Sequence, residues 1–249
     1  MGFCAQRHER HPVMRHHLII VRAGDHSLHR LWLRGAERQF DLLVSYYGTI
    51  PGRQRQRADY YHELPGPRWP GHHALLGSMW DVINRYDYVA FVCDDIDAYA
   101  GTWNELFHWC AWYELDVAQP AILGHVGIDL TRPRAECMLR YTNFVEIMTP
   151  VFSRRALERV RDTFSESVSG WGMSALWSQR LPYPAYKQAI LDRVRVTHTS
   201  PLRQGTLRPV LDRLGIDPPA EREQLLARHG LADFTPRELS RLSYVRETA

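Results

Sequence analysis

Lysine is almost missing from this chain: Lys187 is the only one among 31 lysine and arginine residues. The first reading is genomic composition bias. The functional reading is that some arginines pair with phosphate or carboxylate, which their planar fork suits. Cysteine is scarce as well. Cys4, Cys93, Cys110 and Cys137 are scattered and no pair has CxxC spacing, so neither a zinc knuckle nor a redox motif is suggested. Free buried thiols in a reducing cytosol fit better. No apolar run is long enough to span a membrane, and the first residues lack the apolar core of a signal peptide. A cytoplasmic location is therefore expected. Strong net charge is lacking too. A balance of +3 over 249 residues argues against a dedicated nucleic-acid binder, which would concentrate basic charge on one face.

What is present is enough apolar sequence, 45%, to bury one sizeable core. Tryptophan and tyrosine are plentiful, and such rings also line sugar- and base-binding clefts. Short apolar runs at 17–22 (HLIIVR), 41–47 (DLLVSYY) and 86–93 (YDYVAFVC) read as buried strands. Helical stretches are expected at 27–34, 72–84 and 102–115, with a Pro/Gly-interrupted loop over 48–71. This alternation predicts an α/β fold: a Rossmann-type, mostly parallel sheet with helices on both faces. In such sheets ligands bind at the carboxyl ends of the strands. Further on, 140–152 is strand-like, Ser153 is a plausible N-cap, and 189–197 reads as a late strand that delivers His198. From 205 the sequence is charged and leucine-spaced, broken at Pro218-Pro219 and Gly230. It predicts helices packed outside the main sheet. Three regions follow: a polar tail at 1–16, an α/β domain at 17–204 and C-terminal helices at 205–249. The histidines His8, His11, His16 and His17 are a minor metal candidate; a frayed tail is the plainer reading.

The strongest chemical signal is Asp94-Asp95-Ile96-Asp97, directly after the third strand. Adjacent carboxylates repel and are costly to gather unless a cation or basic group neutralises them. Oxygen ligands of this kind suit Mg²⁺ or Mn²⁺, which in turn bind substrate phosphates. The plain alternative is a solvated acidic turn or a helix N-terminal cluster. His198, in a VTHT segment, could complete a metal site with a neutral imidazole, although a lone histidine is more often structural. The Ser169-Gly170-Trp171-Gly172 turn could leave the Trp171 indole free to stack on a sugar, or could bury it. Glu166 is a nearby carboxylate that could act as a base or simply end a helix in solvent.

The order of these segments resembles the family known as domain of unknown function 707, a group from plants and bacteria with the look of GT-A-type glycosyltransferases. The matching pieces are RAGDHSLH (22–29), FDLLVSYYG (40–48), GPRWP (66–70), YDYVAFVCDDID (86–97), LDVAQPAI (115–122), RYTNFVEIMTPVFSR (140–154), TFSESVSGWGMSALW (163–177) and VTHTSP (196–201). The resemblance implies a GT-A-like fold and a divalent ion, Mn²⁺ or Mg²⁺, set against the diphosphate of a UDP- or GDP-type sugar donor. The acceptor would be a carbohydrate or small-molecule hydroxyl. On this reading Asp95, Asp97 and His198 hold the metal with Asp94 nearby, and Arg22, Asp25 and Arg68 serve the donor. Trp171 contacts acceptor or sugar. Two positions depart from the family pattern. Cys93 stands where its acidic triplet begins, and Ser174 stands where its Gly-Trp-Gly-Leu-Asp carries the candidate base. Either Glu166 replaces that base, or the enzyme retains configuration, or the chain is a degenerate carbohydrate- or nucleotide-binding relative. A phosphoester hydrolase using the acidic cluster is a further alternative.

Overall fold

The computed structural model describes residues 15–201 and 208–244. The first half runs β1 (His17–Ala23), a 3₁₀ turn at Leu28–Leu33, β2 (Asp41–Tyr46), β3 (Tyr60–Glu63), α1 (Arg68–Ser78), α2 (Trp80–Ile83), β4 (Tyr88–Cys93), β5 (Ile96–Asp97) and α3 (Ala100–Trp112). β1 and β2 are buried along nearly every residue, as expected of parallel strands covered on both faces. β1 pairs in parallel with β2 and with β4, and β3 extends this parallel group beyond β2. The period-2 alternation of β1 sorts its side chains cleanly. Ile19 and Val21 join Trp32, Val44, Trp103 and Phe107 on one face, where α3 packs. Leu18 and Ile20 join Trp69, Phe91, Phe152 and Trp177 on the other.

The second half runs β6 (Val117–Gly124), a 3₁₀ turn at Asp129–Thr131, β7 (Cys137–Thr142), β8 (Val151–Ser153), α4 (Arg154–Val160), a 3₁₀ turn at Arg161–Ser165, α5 (Met173–Arg180), β9 (Gln188–His198), α6 (Arg208–Arg213), α7 (Pro218–Arg228) and β10 (Glu238–Ser243). Among the described residues ten strands form one sheet, ordered β10-β7-β9-β6-β8-β4-β1-β2-β3, with β5 paired to β9. β8 lies antiparallel between β4 and β6, and β9 is parallel to β6 but antiparallel to β7 and β5. Pro120 sits inside β6, where it lacks an N–H to donate. The β6–β9 register jumps beside it, from Pro120↔Leu191 to Ala121↔Arg195. In the skipped stretch, Asp192 is wholly buried and pairs with Arg140 of β7, whose Nε and Nη2 donate to its two oxygens at 2.9 Å each.

The α/β architecture with helices on both faces is the one expected, and several details differ from the sequence reading. Residues 27–34 form a 3₁₀ turn rather than an α-helix. The supposed loop 48–71 contains β3. The strand-like run 140–152 is two strands, β7 and β8, separated by a buried loop. Helices α6 and α7 follow residue 205 as expected, but the chain then returns to the sheet as β10, antiparallel to β7. The tail before residue 15, with His8 and His11, lies outside the described residues. His16 pairs with Asp87 at 3.0 Å, and the His17 ring stacks on Phe107, so these two are engaged structurally.

Candidate functional site

The carboxyl ends of β1, β4 and β9 converge. After Cys93 the chain turns at Asp94-Asp95 before entering β5, and β5 pairs Ile96 opposite His198. That pairing brings Asp95 to the end of β9. Asp95 Oδ2 lies 3.2 Å from His198 Nε2. The other imidazole nitrogen, Nδ1, donates to the His125 carbonyl at 2.7 Å, which fixes the ring and leaves Nε2 as the atom presented to the site. Burial alone would lower the His198 pKa, but the bond and charge of Asp95 outweigh it and raise it. Burial pushes Asp95 upward, yet its hydrogen bond and attraction to His198 hold it below the usual carboxylate range. Asp95 Oδ1 is buried with no hydrogen-bond partner among the described residues. Asp94 turns the other way. Its Oδ2 accepts from Gly24 N at 2.8 Å and from the Tyr47 hydroxyl at 3.2 Å. Burial raises Asp94 to about 6, against the lowering effect of the Gly24 amide. A side chain at Gly24 would meet the Tyr47 hydroxyl at 2.7 Å, so this close approach needs glycine.

These carboxylates open on a cavity of about 650 Å³. Arg22, from the end of β1, lines it. Its Nη1 donates to Ser45 Oγ at 2.7 Å and its Nη2 to the Gly66 carbonyl at 2.8 Å, which orients the guanidinium. Burial lowers Arg22 to about 10, which still leaves it charged at neutral pH. Arg68, at the start of α1, also lines the cavity. It is anchored to Cys93 Sγ at 2.7 Å and to the Ile147 carbonyl at 2.8 Å, so it contributes a fixed positive charge more than a free fork. Trp171 also lines the cavity and keeps 37% of its surface exposed. The turn that carries it has Gly170 and Gly172 at φ +87° and +91°, a region that favours glycine.

Ser174 lines the cavity too, but its hydroxyl donates to the Val145 carbonyl at 2.6 Å. A third carboxylate, besides Asp94 and Asp95, faces the cavity: Glu146, the next residue along from that carbonyl. It is 8% exposed, and its Oε1 accepts from Ile147 N at 2.9 Å. Burial raises its pKa, with partial opposition from that amide, His198 and Arg68. Sequence reasoning missed Glu146. The available signal was an acid in the middle of an otherwise apolar FVEIM run, where a charge is costly unless it serves a purpose.

Three expected residues stand elsewhere. Asp97 takes its place opposite Thr197 in β5 and does not line the cavity. Asp25 does not line it either; its Oδ1 accepts from the Tyr46 hydroxyl at 2.5 Å and lies 3.7 Å from Arg53, so it pins a loop. Glu166 lies outside the cavity, 3.5 Å from both Arg228 and His229. The expected metal set of Asp95, Asp97 and His198 is thus reduced to the contacting pair Asp95 and His198. Among the described residues no three His, Cys, Asp or Glu side chains gather into a metal-holding group. The pair still fits a divalent ion. Asp95 offers an orphaned oxygen, the His125 carbonyl keeps the His198 proton on Nδ1 so that an ion displacing the Nε2 proton would find that nitrogen as its ligand, and ions that bridge substrate phosphates need only one or two protein ligands.

No family model matches the chain, and no curated protein matches it in sequence. Solved structures do match. TarS of S. aureus superposes with a TM-score of 0.51 at 14% identity, over 88% of this chain and 43% of that one. TarS 1–349 in complex with UDP-GlcNAc gives 0.50 at 15% identity, over 86% of this chain and 72% of that one. GalNAc-T7 with UDP, GalNAc and Mn²⁺ gives 0.62 at 6% identity, over 85% of this chain and 48% of that one. The chain therefore spans less than half of the full TarS and GalNAc-T7 chains. At these identities the likeness is one of fold: the chain has the α/β fold of the GT-A glycosyltransferases. Among the described residues no helix is long and apolar enough to cross a membrane.

Proposed function

We propose that this chain transfers a sugar from a nucleotide-sugar donor to an acceptor hydroxyl, assisted by Mn²⁺ or Mg²⁺. One observation carries the reading: a single cavity joins the Asp95–His198 pair and the Arg22 charge to a separate buried carboxylate, Glu146. A binding site for a nucleotide needs only the first part. A transferase needs both a place for the leaving diphosphate and a group for the acceptor proton.

Asp95 and His198 would hold the ion. When bound, it would neutralise charge that builds on the departing diphosphate. Arg22 adds a fixed positive charge on the same side, oriented by Ser45 and Gly66 before any substrate arrives. Glu146 accepts the proton of the attacking acceptor hydroxyl. Its burial and raised pKa suit a group that must take up a proton near neutral pH. Ser174 positions the loop by holding the Val145 carbonyl and takes no proton itself. Trp171 offers a half-open ring for the acceptor or the transferred sugar. The fold neighbours support this reading, since TarS 1–349 is found with UDP-GlcNAc and GalNAc-T7 with UDP, GalNAc and Mn²⁺. Membership of the family named from the sequence, domain of unknown function 707, remains part of the same proposal.

A second reading keeps the binding and drops the turnover. It is favoured by Cys93 and Ser174, which replace two acids of the resembled pattern. Calorimetric titration with UDP, GDP and their sugar conjugates separates the possibilities, run with and without Mn²⁺ and with Asp95→Ala alongside. Binding that requires Mn²⁺ and disappears in the variant is expected. Absence of nucleotide binding under both conditions overturns the donor site. Binding without hydrolysis or transfer to any acceptor establishes the second reading.

A further inference from the structure

The cavity is not uniform along its length. Arg22, Asp94, Asp95 and His198 stand at the strand ends, joined by Arg68 from the start of α1 and Glu146 from the β7–β8 loop, while the one further charged group of its described lining, Arg222, comes from α7. The remainder of the wall includes Ile128, Phe144, Trp171, Leu211, Phe234 and Pro236. A second hollow, about 510 Å³, shares Ile128, Trp171, Arg222 and Pro236 with the first and none of the charged strand-end residues. It marks the direction in which the cavity leaves the reaction centre, past Trp171. Leu211, Phe234 and Pro236 come from the segment after residue 208, which folds back over the sheet edge through β10.

We infer that the acceptor is an apolar, ring-bearing alcohol such as a fused-ring phenol rather than a saccharide, an inference that rests on the transferase reading above. A saccharide presents hydroxyls all round, and a site for it must supply polar partners or leave those hydroxyls desolvated and unpaired. Among the described residues this wall supplies few. Ser169 lines it, but its Oγ accepts from Trp171 N at 3.1 Å. The other polar side chains here among the described residues are Ser200, next to the Asp95–His198 end, and Arg222 and Glu223 of α7, of which Glu223 lines only the second hollow and Arg222 carries a guanidinium that stacks on a ring as well as it pairs with an anion. Aromatic and branched side chains offer what a flat apolar ring needs: area without hydrogen-bond demand. The ring would lie between Phe144, Trp171 and the tail residues, and its hydroxyl would point to Glu146.

The test uses the full chain without donor. Saturation-transfer NMR and calorimetry compare 2-naphthol and 7-hydroxycoumarin with methyl glucoside and maltotriose, and UDP with Mn²⁺ is titrated separately. The phenols are expected to bind with submillimolar Kd and the saccharides not to bind. Ile128→Asp should weaken the phenols at least tenfold while leaving UDP binding unchanged. Trp171→Ala, at a partly exposed position, provides a second variant with the same expectation should Ile128→Asp fail to fold. Saccharide binding without phenol binding overturns the inference, as does phenol binding that survives both variants. If UDP binds and neither acceptor class does, this inference falls and the donor site stands. If phenols bind and UDP does not, the donor site falls and the apolar pocket stands.

Discussion

Replacing Glu221 by glutamine should loosen the turn that carries Trp171 without unfolding the protein. Glu221 sits in the first turn of α7 and reaches across to the loop before that turn. Its Oε1 accepts from Val168 N at 2.7 Å, and its Oε2 accepts from Ser169 N and Ser167 Oγ at 2.9 Å each. Glutamine keeps one acceptor oxygen and turns an NH₂ toward whatever faced the other. With that oxygen in the Oε2 place, the Val168 bond is lost, at about 1.5 kcal/mol, and the bonds from Ser169 and Ser167 weaken by about 0.7 kcal/mol each as a charged acceptor becomes a neutral one, low-end values because the side chain is half-exposed. The total, about 3 kcal/mol, corresponds to on the order of 100-fold in a local opening equilibrium. α7 itself stays docked, because Leu225 and Leu226 remain buried. Native-state hydrogen exchange should show the Val168 and Ser169 amides exchanging on the order of 100-fold faster in Glu221→Gln, with the amides of β1 and β4 unchanged. The pH dependence gives a second check. Burial would raise Glu221, but its bonds to Ser169, Val168 and Ser167 outweigh that and hold it below its ordinary 4.5. A depressed carboxylate stabilises fully above that ordinary value and loses the contribution as pH falls through the folded pKa. Protection of the two amides should therefore fall on acidification in the parent protein and stay flat in the variant. Equal protection in both proteins at neutral pH would refute the claim that Glu221 holds this turn.

Asp192→Ala leaves the Arg140 guanidinium buried without its carboxylate and should cost about 3–5 kcal/mol in urea unfolding. Gly170→Ala places a methyl against the Trp69 indole nitrogen at a positive φ, and the combined strain and overpacking should cost about 3 kcal/mol by the same measurement. Glu146→Gln preserves shape and the Ile147 amide bond; it should lower kcat roughly 10²- to 10⁴-fold in a transfer assay with Mn²⁺-dependent UDP binding intact.

The parallel part of the sheet was legible because β1, β2 and β4 are uninterrupted apolar runs that punctuation sets apart. β3 was hidden: its YYHE residues are half-exposed at the sheet edge, where no apolar pattern is required. β6 was obscured by Pro120, which argues against a central strand unless a register jump accommodates it, as happens here. β10 is a short, mostly exposed edge strand with little apolar demand. At the site, Asp95 and His198 were both visible as residues, and the antiparallel β5–β9 pairing that unites them was not. Nearness in sequence groups Asp97 with Asp94 and Asp95, whereas the chain turns at Asp94-Asp95 and Asp97 enters β5 opposite Thr197. Glu166 misled because nearness in sequence to Trp171 does not carry across the intervening turn.

The β10 contact divides the cavity between the middle and the margin of the sheet. The charged end of the cavity is built by β1, β4 and β9 from the middle of the sheet, whereas Leu211, Phe234 and Pro236 arrive on a strap fastened at the outermost strand. A margin can be rewritten while the interior keeps its register. On the transferase reading proposed above, substitutions at Leu211, Phe234 and Pro236 would reshape the acceptor side of the cavity and leave the residues assigned to the donor in place.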